Sequence, residues 1–256
     1  MAYIEDPDLA VMASFSDEEL EPIFRCLVYD TDGKKRRTES VSDNPEYRRH
    51  KPHHHLYWQV LAGELQLFGG NSIMNFLRKG QGVLYIEILK DVASNFIKPY
   101  LKEHPEASAS QIELELIKEV LKKYRNEIDR DADELKARLD EYDDNDIRDL
   151  IAELERGYGG FTSAGMLAFL VAGRVLPRAA ASLLSGIVTV NALKYFGIRA
   201  ALGFTGGRAG SVIFGPVGWG VTAAWALVDA AGPANRVVVP CVFHIAFLRL
   251  MHGGGK

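Results

Sequence analysis

The chain has 256 residues, enough for one large domain or two smaller ones, and 47% of them are apolar. Its net charge of −4 is divided unevenly: residues 1–160 carry 22 Lys and Arg against 33 Asp and Glu, whereas residues 161–256 carry 8 against Asp229 alone. The only cysteines are Cys26 and Cys241, too few and too far apart in sequence to suggest a disulfide framework or a four-ligand zinc site.

The charge pattern also narrows the class of partner. Basic residues of the second part are scattered among apolar ones and do not form a stripe, so nucleic acid is not a predicted partner. A sparsely basic, apolar segment is instead attracted to anionic lipid or to an acidic protein surface. The opening MAYIEDPDLAVMAS has acidic residues where a secretory signal needs basic ones, so we expect a cytoplasmic protein.

Residues 1–33 are predicted to form an N-terminal helical segment. Ser16 is followed three residues later by Glu19, the spacing of a capping box at a helix start. Apolar residues then follow at helical spacing, at Leu20, Ile23, Phe24 and Leu27.

Residues 34–55 are predicted to be a basic, histidine-rich loop, because they contain few apolar anchors. His53, His54 and His55 are weak candidates for a metal site, since imidazole is a common metal ligand. No cysteine lies near them, and a defined site would need carboxylates from elsewhere in the chain. We therefore favour exposed loop histidines and predict no cofactor.

Residues 56–156 are predicted to be a charged helical domain. Its first helix carries an apolar stripe at Tyr57, Val60, Leu61, Leu65 and Phe68 and is expected to stop at Gly69 and Gly70. Asn71 or Ser72 is expected to cap a second, short helix, and a third helix is expected to end near Pro99. Ser110 is expected to cap a longer one that runs to about Ile128.

Glu64 is the unusual residue of the first of these helices, because it falls inside the apolar stripe. A buried carboxylate must be paired, hydrogen-bonded or protonated. We favour a structural pair with an Arg, Lys or His over a catalytic acid or base, and we place a candidate interaction groove at Trp58, Glu64 and Phe68. No nucleophile lies at a recognisable spacing from a base, so we predict that the protein is not an enzyme.

Residues 157–256 are predicted to be a hydrophobic, glycine-rich helical region. The stretch from Ala209 to Val228 has no charge, but it contains Pro216 and little Leu or Ile, so insertion as a membrane span is expected to be marginal. Three further charge-poor runs are shorter still: Gly157–Gly173, Ala179–Leu193 and Val237–Leu248.

Two interpretations of this region stay open. The runs are typical of hydrophobic hairpins that amphipathic helices keep in water until they meet lipid, and equally of the central helices of a globular bundle. On the first interpretation residues 161–250 contact the membrane. Lipid phosphates would then meet Arg174, Arg178, Arg199 and Arg208, while Trp219 and Trp225 would lie at the interface.

Several segments carry a family resemblance. SDEEL, then YWQVLAGELQLFGGNSIMNFLRKGQGVLYIEILKDV, then GPVGWGVTAAWALVDAAGPANRVVVPCVFHIAFLRL resemble the bacterial YaaW-like proteins over nearly the whole chain. The most specific parts are WQ at residues 58–59, GELQLFGG at 63–70 and GPANRVVVP at 232–240. That family is grouped distantly with the ubiquinol–cytochrome c chaperones, so the resemblance implies a helical fold and the handling of a membrane protein, and it implies no catalytic residues.

The sequence thus predicts an all-α multi-helix bundle with an acidic amphipathic N-terminal part and an apolar, glycine-rich C-terminal part. The predicted function is membrane association without catalysis, either by disturbing the bilayer or by assisting the assembly of a membrane protein. The alternative is a soluble, chaperone-like interaction module whose C-terminal helices are permanently buried. The predicted partner is membrane lipid or a membrane protein, with a homo-oligomer left open, and the cytoplasmic location extends to the face or interior of the inner membrane.

Overall fold

The computed structural model describes residues 3–30, 33–73, 82–126, 129, 145–153, 156–157, 185 and 235–253. In this part of the chain the regular structure is helical, with no strand and one isolated β-bridge between Tyr29 and Lys35. The predicted all-α class is confirmed.

Eight described α-helices are numbered here in chain order. They are α1 (Asp17–Val28), α2 (Pro45–His50), α3 (Trp58–Ile73), α4 (Tyr85–Ala93), α5 (Lys98–Glu103), α6 (Ala109–Lys123), α7 (Asn145–Glu153) and α8 (Asn235–Met251). Short 3-10 turns lie at Ala10–Ser14, Val41–Asp43 and His54–Tyr57.

Helix α1 begins as the sequence predicts. The Ser16 side chain accepts a hydrogen bond from the Glu19 backbone N–H at 3.3 Å, and the Glu19 carboxylate accepts one from the Ser16 N–H at 2.8 Å. The predicted capping box is therefore confirmed, and the four predicted apolar residues of α1 are buried. Capping satisfies backbone donors that have no partner within the first turn.

The sequence predicts that helix α3 stops at Gly69 and Gly70, but the helix continues to Ile73. A Cβ atom at Gly69 would lie 2.5 Å from side-chain atoms of Ile88, so α4 packs directly against the α3 backbone at this position. Gly69 therefore allows close packing of two helices and does not mark a turn. The two uses of glycine look the same in sequence.

Two other helix boundaries differ from prediction. Pro99 lies in the first turn of α5 instead of ending the preceding helix, because proline is tolerated where the backbone N–H has no helical partner. Helix α6 is capped by Ser108 and not by Ser110, and Gln111 completes its capping box. Ser108 was the better candidate, since a Gln follows it at the third position.

The segment predicted as a loop at 34–55 contains the 3-10 turn Val41–Asp43 and helix α2. Asn44 caps α2 by accepting a hydrogen bond from the Glu46 backbone N–H at 2.9 Å. The ring of Tyr47 stacks on Phe24 of α1, with centroids 5.7 Å apart. Tyr47 and the buried Val41 thus anchor a stretch whose composition indicated few such contacts.

One buried core joins parts of the chain that are far apart in sequence. Helix α8 packs against α1, α3, α4 and α6, and Leu150 of α7 is buried in the same core. The two cysteines are free thiols, and the packing of α1 on α8 brings Cys26 next to Cys241. Residues of the predicted segments 1–33, 56–156 and 157–256 therefore share one interior.

Candidate functional site

The C-terminal helix α8 is enclosed by the other helices. Every side chain from Val237 to Arg249 is buried. A helix that is apolar around its whole circumference is stable only inside a protein or inside lipid, and here the surrounding helices supply the apolar environment. The charge-poor run Val237–Leu248, which we had considered for membrane contact, lies in the protein core.

Arg249 is the one charged residue of α8 among these buried positions. Its Nε lies 2.7 Å from Oε2 of Glu113 in α6, and neither atom makes an aligned hydrogen bond, so the contact is an ion pair. Its Nη2 donates to the backbone carbonyl of Asp8, and its guanidinium lies 5.8 Å from the ring centroid of Tyr85. The end of α8 is therefore joined to α6, to α4 and to the N-terminal segment.

Glu113 is fully buried and contacts two side chains. Its Oε1 accepts a hydrogen bond from the Tyr85 hydroxyl at 2.8 Å. Burial raises the pKa of Glu113 to about 7, and the nearby Arg249 and Tyr85 oppose this rise without cancelling it. Burial also raises the pKa of Tyr85, so its hydroxyl stays protonated and donates.

The N-terminal segment reaches this cluster through Asp6. One carboxylate oxygen of Asp6 accepts from the Tyr85 backbone N–H at 2.6 Å, and the other accepts from the Asp8 N–H at 2.9 Å. Asp6 therefore bonds the backbone donor at the start of α4 and aligns residue 8 with Arg249. Burial raises the pKa of the neighbouring Asp8 carboxyl, although Arg249 opposes that rise.

His244 is an interior residue of α8 with both ring nitrogens hydrogen-bonded. Its Nε2 lies 2.8 Å from the backbone carbonyl of Glu19, so Nε2 donates, and its Nδ1 accepts from the Ser185 hydroxyl at 3.0 Å. Burial lowers the pKa of His244 to about 4. The ring is neutral at pH 7 and acts as a polar link between α1 and α8.

His252, just after α8, returns to the same capping residue. Its Nε2 lies 2.7 Å from Oε1 of Glu19, and its ring packs edge-on against Phe15. The carboxylate that completes the α1 capping box thus also holds the end of the C-terminal helix.

The predicted interaction groove on α3 is not an open one. Glu64 is 3% exposed, and its two oxygens accept from the backbone N–H and the hydroxyl of Ser40. The position of Glu64 in the apolar stripe of α3 predicts a buried carboxylate, and its burial is confirmed. Its partner, however, is Ser40 and not the predicted Arg, Lys or His. Burial raises the pKa of Glu64, and the bonds from Ser40 only partly oppose it. Trp58 and Phe68 are half-buried, and Trp58 packs edge-on against Tyr3.

The three candidate metal-binding histidines bind carboxylates of α1. His55 Nδ1 lies 2.8 Å and His53 Nδ1 3.2 Å from the two oxygens of Asp17. Burial raises the pKa of Asp17, but hydrogen bonds from the His55 backbone N–H and from the two rings outweigh it, so the pKa is lowered overall. In the part of the chain that the structure describes, no group of three His, Cys, Asp or Glu residues could hold a metal ion.

His54 differs from its neighbours because it is buried, contrary to the exposed loop that we predicted. Its ring nitrogens bond the Tyr57 hydroxyl and the Glu21 carboxylate, each at 2.5 Å. The ring of Phe24 packs against the His54 ring, with centroids 4.8 Å apart. The histidines therefore attach the 34–55 segment to α1.

The predicted membrane contacts lie outside the described residues. They are Arg174, Arg178, Arg199, Arg208, Trp219 and Trp225. The glycine-rich stretch from Ala209 to Val228 is also outside them. Among the residues that are described, no helix has both the length and the apolar character needed to cross a bilayer.

Sequence reasoning missed the cluster around Arg249, although one signal for it was present. Glu113 lies in the apolar stripe of α6 with Leu116, Ile117 and Val120, just as Glu64 lies in the stripe of α3. The same argument applied to both helices identifies Glu113 as a buried carboxylate. Arg249 follows a long apolar run and is its natural partner, but only the fold brings the two together.

These features define an all-α protein whose amphipathic helices enclose an apolar C-terminal helix. The family described as "Domain of unknown function (DUF3944)" matches residues 3–37. No solved structure matches the chain.

Curated relatives match over nearly the whole length. A "UPF0174 protein" of Helicobacter pylori strain J99 is 32% identical over 254 residues, which cover 98% of this chain and 93% of the relative. The "UPF0174 protein YaaW" of Escherichia coli strain K12 is 31% identical over 257 residues, covering 97% and 96%. The chain belongs to the UPF0174 family, which confirms the YaaW-like resemblance. The grouping with ubiquinol–cytochrome c chaperones stays a prediction, and no enzyme activity appears in the relatives' names.

Proposed function

We propose that this protein is a non-enzymatic helical protein that associates with a membrane through its apolar, glycine-rich stretch, residues 157–234. The observation that carries the proposal is the enclosure of α8 together with the burial of Leu150 in α7. The stretch lies between these two helices in sequence, so the helices on both sides of it share one core. The folded helices act as an anchor for whatever this stretch contacts.

The chemistry of the stretch favours lipid. Residues 161–234 carry five Lys and Arg against Asp229 alone, a charge of +4, and include twenty consecutive uncharged residues at 209–228. Cations near an anionic bilayer are attracted to its surface, and tryptophan favours the interface between headgroups and hydrocarbon. The enclosure of α8 and the burial of Ser185 against His244 narrow the proposed lipid contact from 161–250 to the parts of 161–234 on either side of Ser185.

Two activities follow from such an arrangement. The stretch perturbs the bilayer directly, or it contacts a membrane protein during assembly while the folded helices stay in water. Both place the protein at the cytoplasmic face of the inner membrane, with a membrane protein or lipid as the partner.

Vesicle flotation with tryptophan emission tests the proposal. Trp58→Phe removes the tryptophan of α3, so the remaining emission comes from Trp219 and Trp225. We expect this variant to float with anionic vesicles and its emission to shift to shorter wavelength as the rings leave water. An emission spectrum that does not change when vesicles are added contradicts the proposal.

A charge series supplies the matched control. Changing Arg174, Arg178, Arg199 and Arg208 to Gln removes four cations from the stretch, and we expect weaker flotation. Changing the exposed Lys98, Lys102, Lys122 and Arg125 to Gln removes the same charge from α5, from α6 and from the residues just after α6. Equal losses in both variants would mean that only net charge matters.

The burial of α8 also favours the alternative, a soluble chaperone-like module. A groove at Trp58, Glu64 and Phe68 is a poor candidate for its binding surface, because Glu64 is buried against Ser40. Among the described residues, exposed aliphatic side chains are found instead at Ile4, Leu56 and Leu84, which are 39%, 51% and 42% exposed. Monodisperse protein without detergent, which neither floats nor binds a hydrophobic dye, would favour this function.

A further inference from the structure

A group of exposed cations lies in the segment that follows α1. We call it the basic face, and it consists of Lys34, Lys35, Arg37, Arg48, Arg49 and Lys51. Residues 33–55 carry a charge of +4, whereas the rest of residues 1–160 carries −15. Residues 33–55 are therefore a basic segment within an otherwise acidic N-terminal part.

The fold brings together two stretches that are separate in sequence. After α1 the chain turns back through hydrogen bonds from the Asp30 N–H to the Lys34 carbonyl and from the Arg36 N–H to the Val28 carbonyl, both 2.8 Å. This turn places Lys34–Arg37 beside the end of α1. Helix α2, with Arg48 and Arg49, is held against the same helix by the stacking of Tyr47 on Phe24.

Aromatic rings lie among these cations. Tyr29 is 36% exposed and packs edge-on against Phe24, while Tyr47 is half-buried with the Lys51 ammonium 5.7 Å from its ring centroid. Tyrosine has an apolar body and a polar tip, and lysine can lay its aliphatic stem on apolar surface while its ammonium stays in water. This composition suits the boundary between water and lipid.

The arginines of the face favour lipid headgroups over the phosphates of nucleic acid. Arg48 is paired with Asp43 at 2.8 Å, Arg49 with Glu46 at 3.3 Å and Lys35 with Glu39 at 2.9 Å, so three of the six cations of the face already contact a local carboxylate. A nucleic-acid strand presents phosphates at fixed spacing and needs guanidinium groups free to meet them. Lipid headgroups move within the plane of a bilayer, so they can move to the cations of the face that are not paired with a carboxylate.

We propose that the basic face docks on the surface of a bilayer that contains anionic phospholipid. This inference rests on the proposed function and adds a second lipid contact, made by the folded helices and distinct from residues 157–234. The face contributes electrostatic attraction, which falls steeply with salt because exposed charges are screened within about 10 Å at 0.1 M ionic strength.

Co-flotation of the full chain tests the docking. The vesicles contain phosphatidylcholine and phosphatidylglycerol in a two-to-one ratio, with phosphatidylcholine alone as the neutral reference. The variant Lys34→Gln/Arg37→Gln/Lys51→Gln changes three cations that take no part in the arginine pairs. Each cation near an anionic surface contributes about a fivefold factor in partitioning, so we expect roughly a hundredfold loss.

The control variant Lys98→Gln/Lys102→Gln/Lys122→Gln removes the same charge elsewhere and is expected to bind within about twofold of the unmodified protein. Thermal unfolding by circular dichroism checks that both variants fold. The salt dependence of the unmodified protein gives a second measurement that needs no substitution. Binding that does not weaken from low to high salt overturns the docking proposal.

The outcomes separate the two proposals. If the basic-face variant, made together with Trp58→Phe, floats as well as the control while the emission of Trp219 and Trp225 still shifts, the docking proposal fails and the proposed function stands. If the variant loses flotation and the unmodified protein binds without an emission shift, docking holds and contact through residues 157–234 fails. A protein that never floats overturns both, and tighter binding to duplex nucleic acid than to vesicles, lost in the variant, overturns docking on lipid.

Discussion

The Nε atom of Arg249 lies 2.7 Å from Oε2 of Glu113, and both side chains are buried where α8 meets α6. The pair connects the last described helix of the chain to a helix more than a hundred residues earlier. It holds the end of an otherwise apolar helix at one axial position, since sliding α8 would leave a buried cation without its carboxylate.

Removing one partner of this pair should destabilise the fold strongly. Arg249→Met leaves the Glu113 carboxyl buried without its cation, and the loss of a buried partner costs about 3–5 kcal/mol. We expect a decrease of about 3 kcal/mol in the free energy of unfolding in urea, because Glu113 can take up a proton and so limit the penalty.

Lys118→Met is the matched control on the same helix. The Lys118–Glu115 pair is about one-third exposed, with side-chain accessibilities of 34% and 35%. Exposed pairs contribute about 0–1 kcal/mol, so this substitution should change stability little. Similar losses in the two variants would contradict the importance of the Arg249 contact.

Glu113 should also make stability depend on pH. Its pKa is raised from 4.5 to about 7, so between these values the folded protein keeps a proton that the unfolded chain releases. The free energy of unfolding therefore falls as the pH rises through this window. Glu113→Gln keeps an oxygen for the Tyr85 hydroxyl but cannot titrate, so its unfolding should lose this slope, up to about 1.4 kcal/mol per pH unit.

Urea unfolding at a series of pH values measures the effect. Glu115→Gln, on the partly exposed face of α6, should retain the slope of the unmodified protein. Glu64 also has a raised pKa and leaves a residual slope of the same sign in both variants. Identical pH profiles for Glu113→Gln and the unmodified protein would rule out Glu113 as the source.

His244 should contribute the opposite dependence. Its pKa is lowered from 6.5 to about 4, so between these values the unfolded chain binds a proton that the folded protein does not. The free energy of unfolding therefore falls as the pH falls through this window. His244→Gln can donate to the Glu19 carbonyl and accept from Ser185 without titrating, so it should resist acid better than the unmodified protein.

The comparison for His244 uses an exposed histidine. His53→Gln replaces a ring whose side chain is 59% exposed, and it should leave the acid sensitivity of the fold nearly unchanged. Unfolding midpoints at pH 7 and at pH 5 for both variants decide the point. Equal protection by the two substitutions would mean that the buried ring is not responsible.

Gly69→Ala should destabilise the fold by overpacking. The added Cβ would meet Ile88 side-chain atoms at 2.5 Å, and such crowding in a packed interior costs about 1–3 kcal/mol. At Gly157 the same substitution finds nothing within 4 Å, so it should be neutral or stabilise a helical residue by up to about 1 kcal/mol. Thermal unfolding compares the two, and a stabilising Gly69→Ala would show that α3 and α4 are not in direct contact there.

Much of the local structure could be predicted from the sequence, because it depends on neighbours a few residues apart. The capping box of Ser16 and Glu19 satisfies backbone donors within one turn, and the apolar spacing of α1 defines its buried face. The burial of Glu64 followed from the stripe on which it lies. The predicted helix ends at Gly69 and Pro99 were wrong because each residue type has two uses. Glycine can end a helix or allow close packing of two helices, and proline can follow a helix or lie in the first turn of the next one.

The sequence by itself determined the helical class, the division of charge between the two parts and the family to which the chain belongs. The tertiary structure decided that α8 lies in the interior, that Arg249 pairs with Glu113, and that basic residues from two separate stretches form one face. These are contacts between groups separated by ten to more than two hundred residues. Helical periodicity determines which side of a helix avoids water, but an apolar side can be covered by many surfaces, and the one it meets depends on how all the helices fill a common volume.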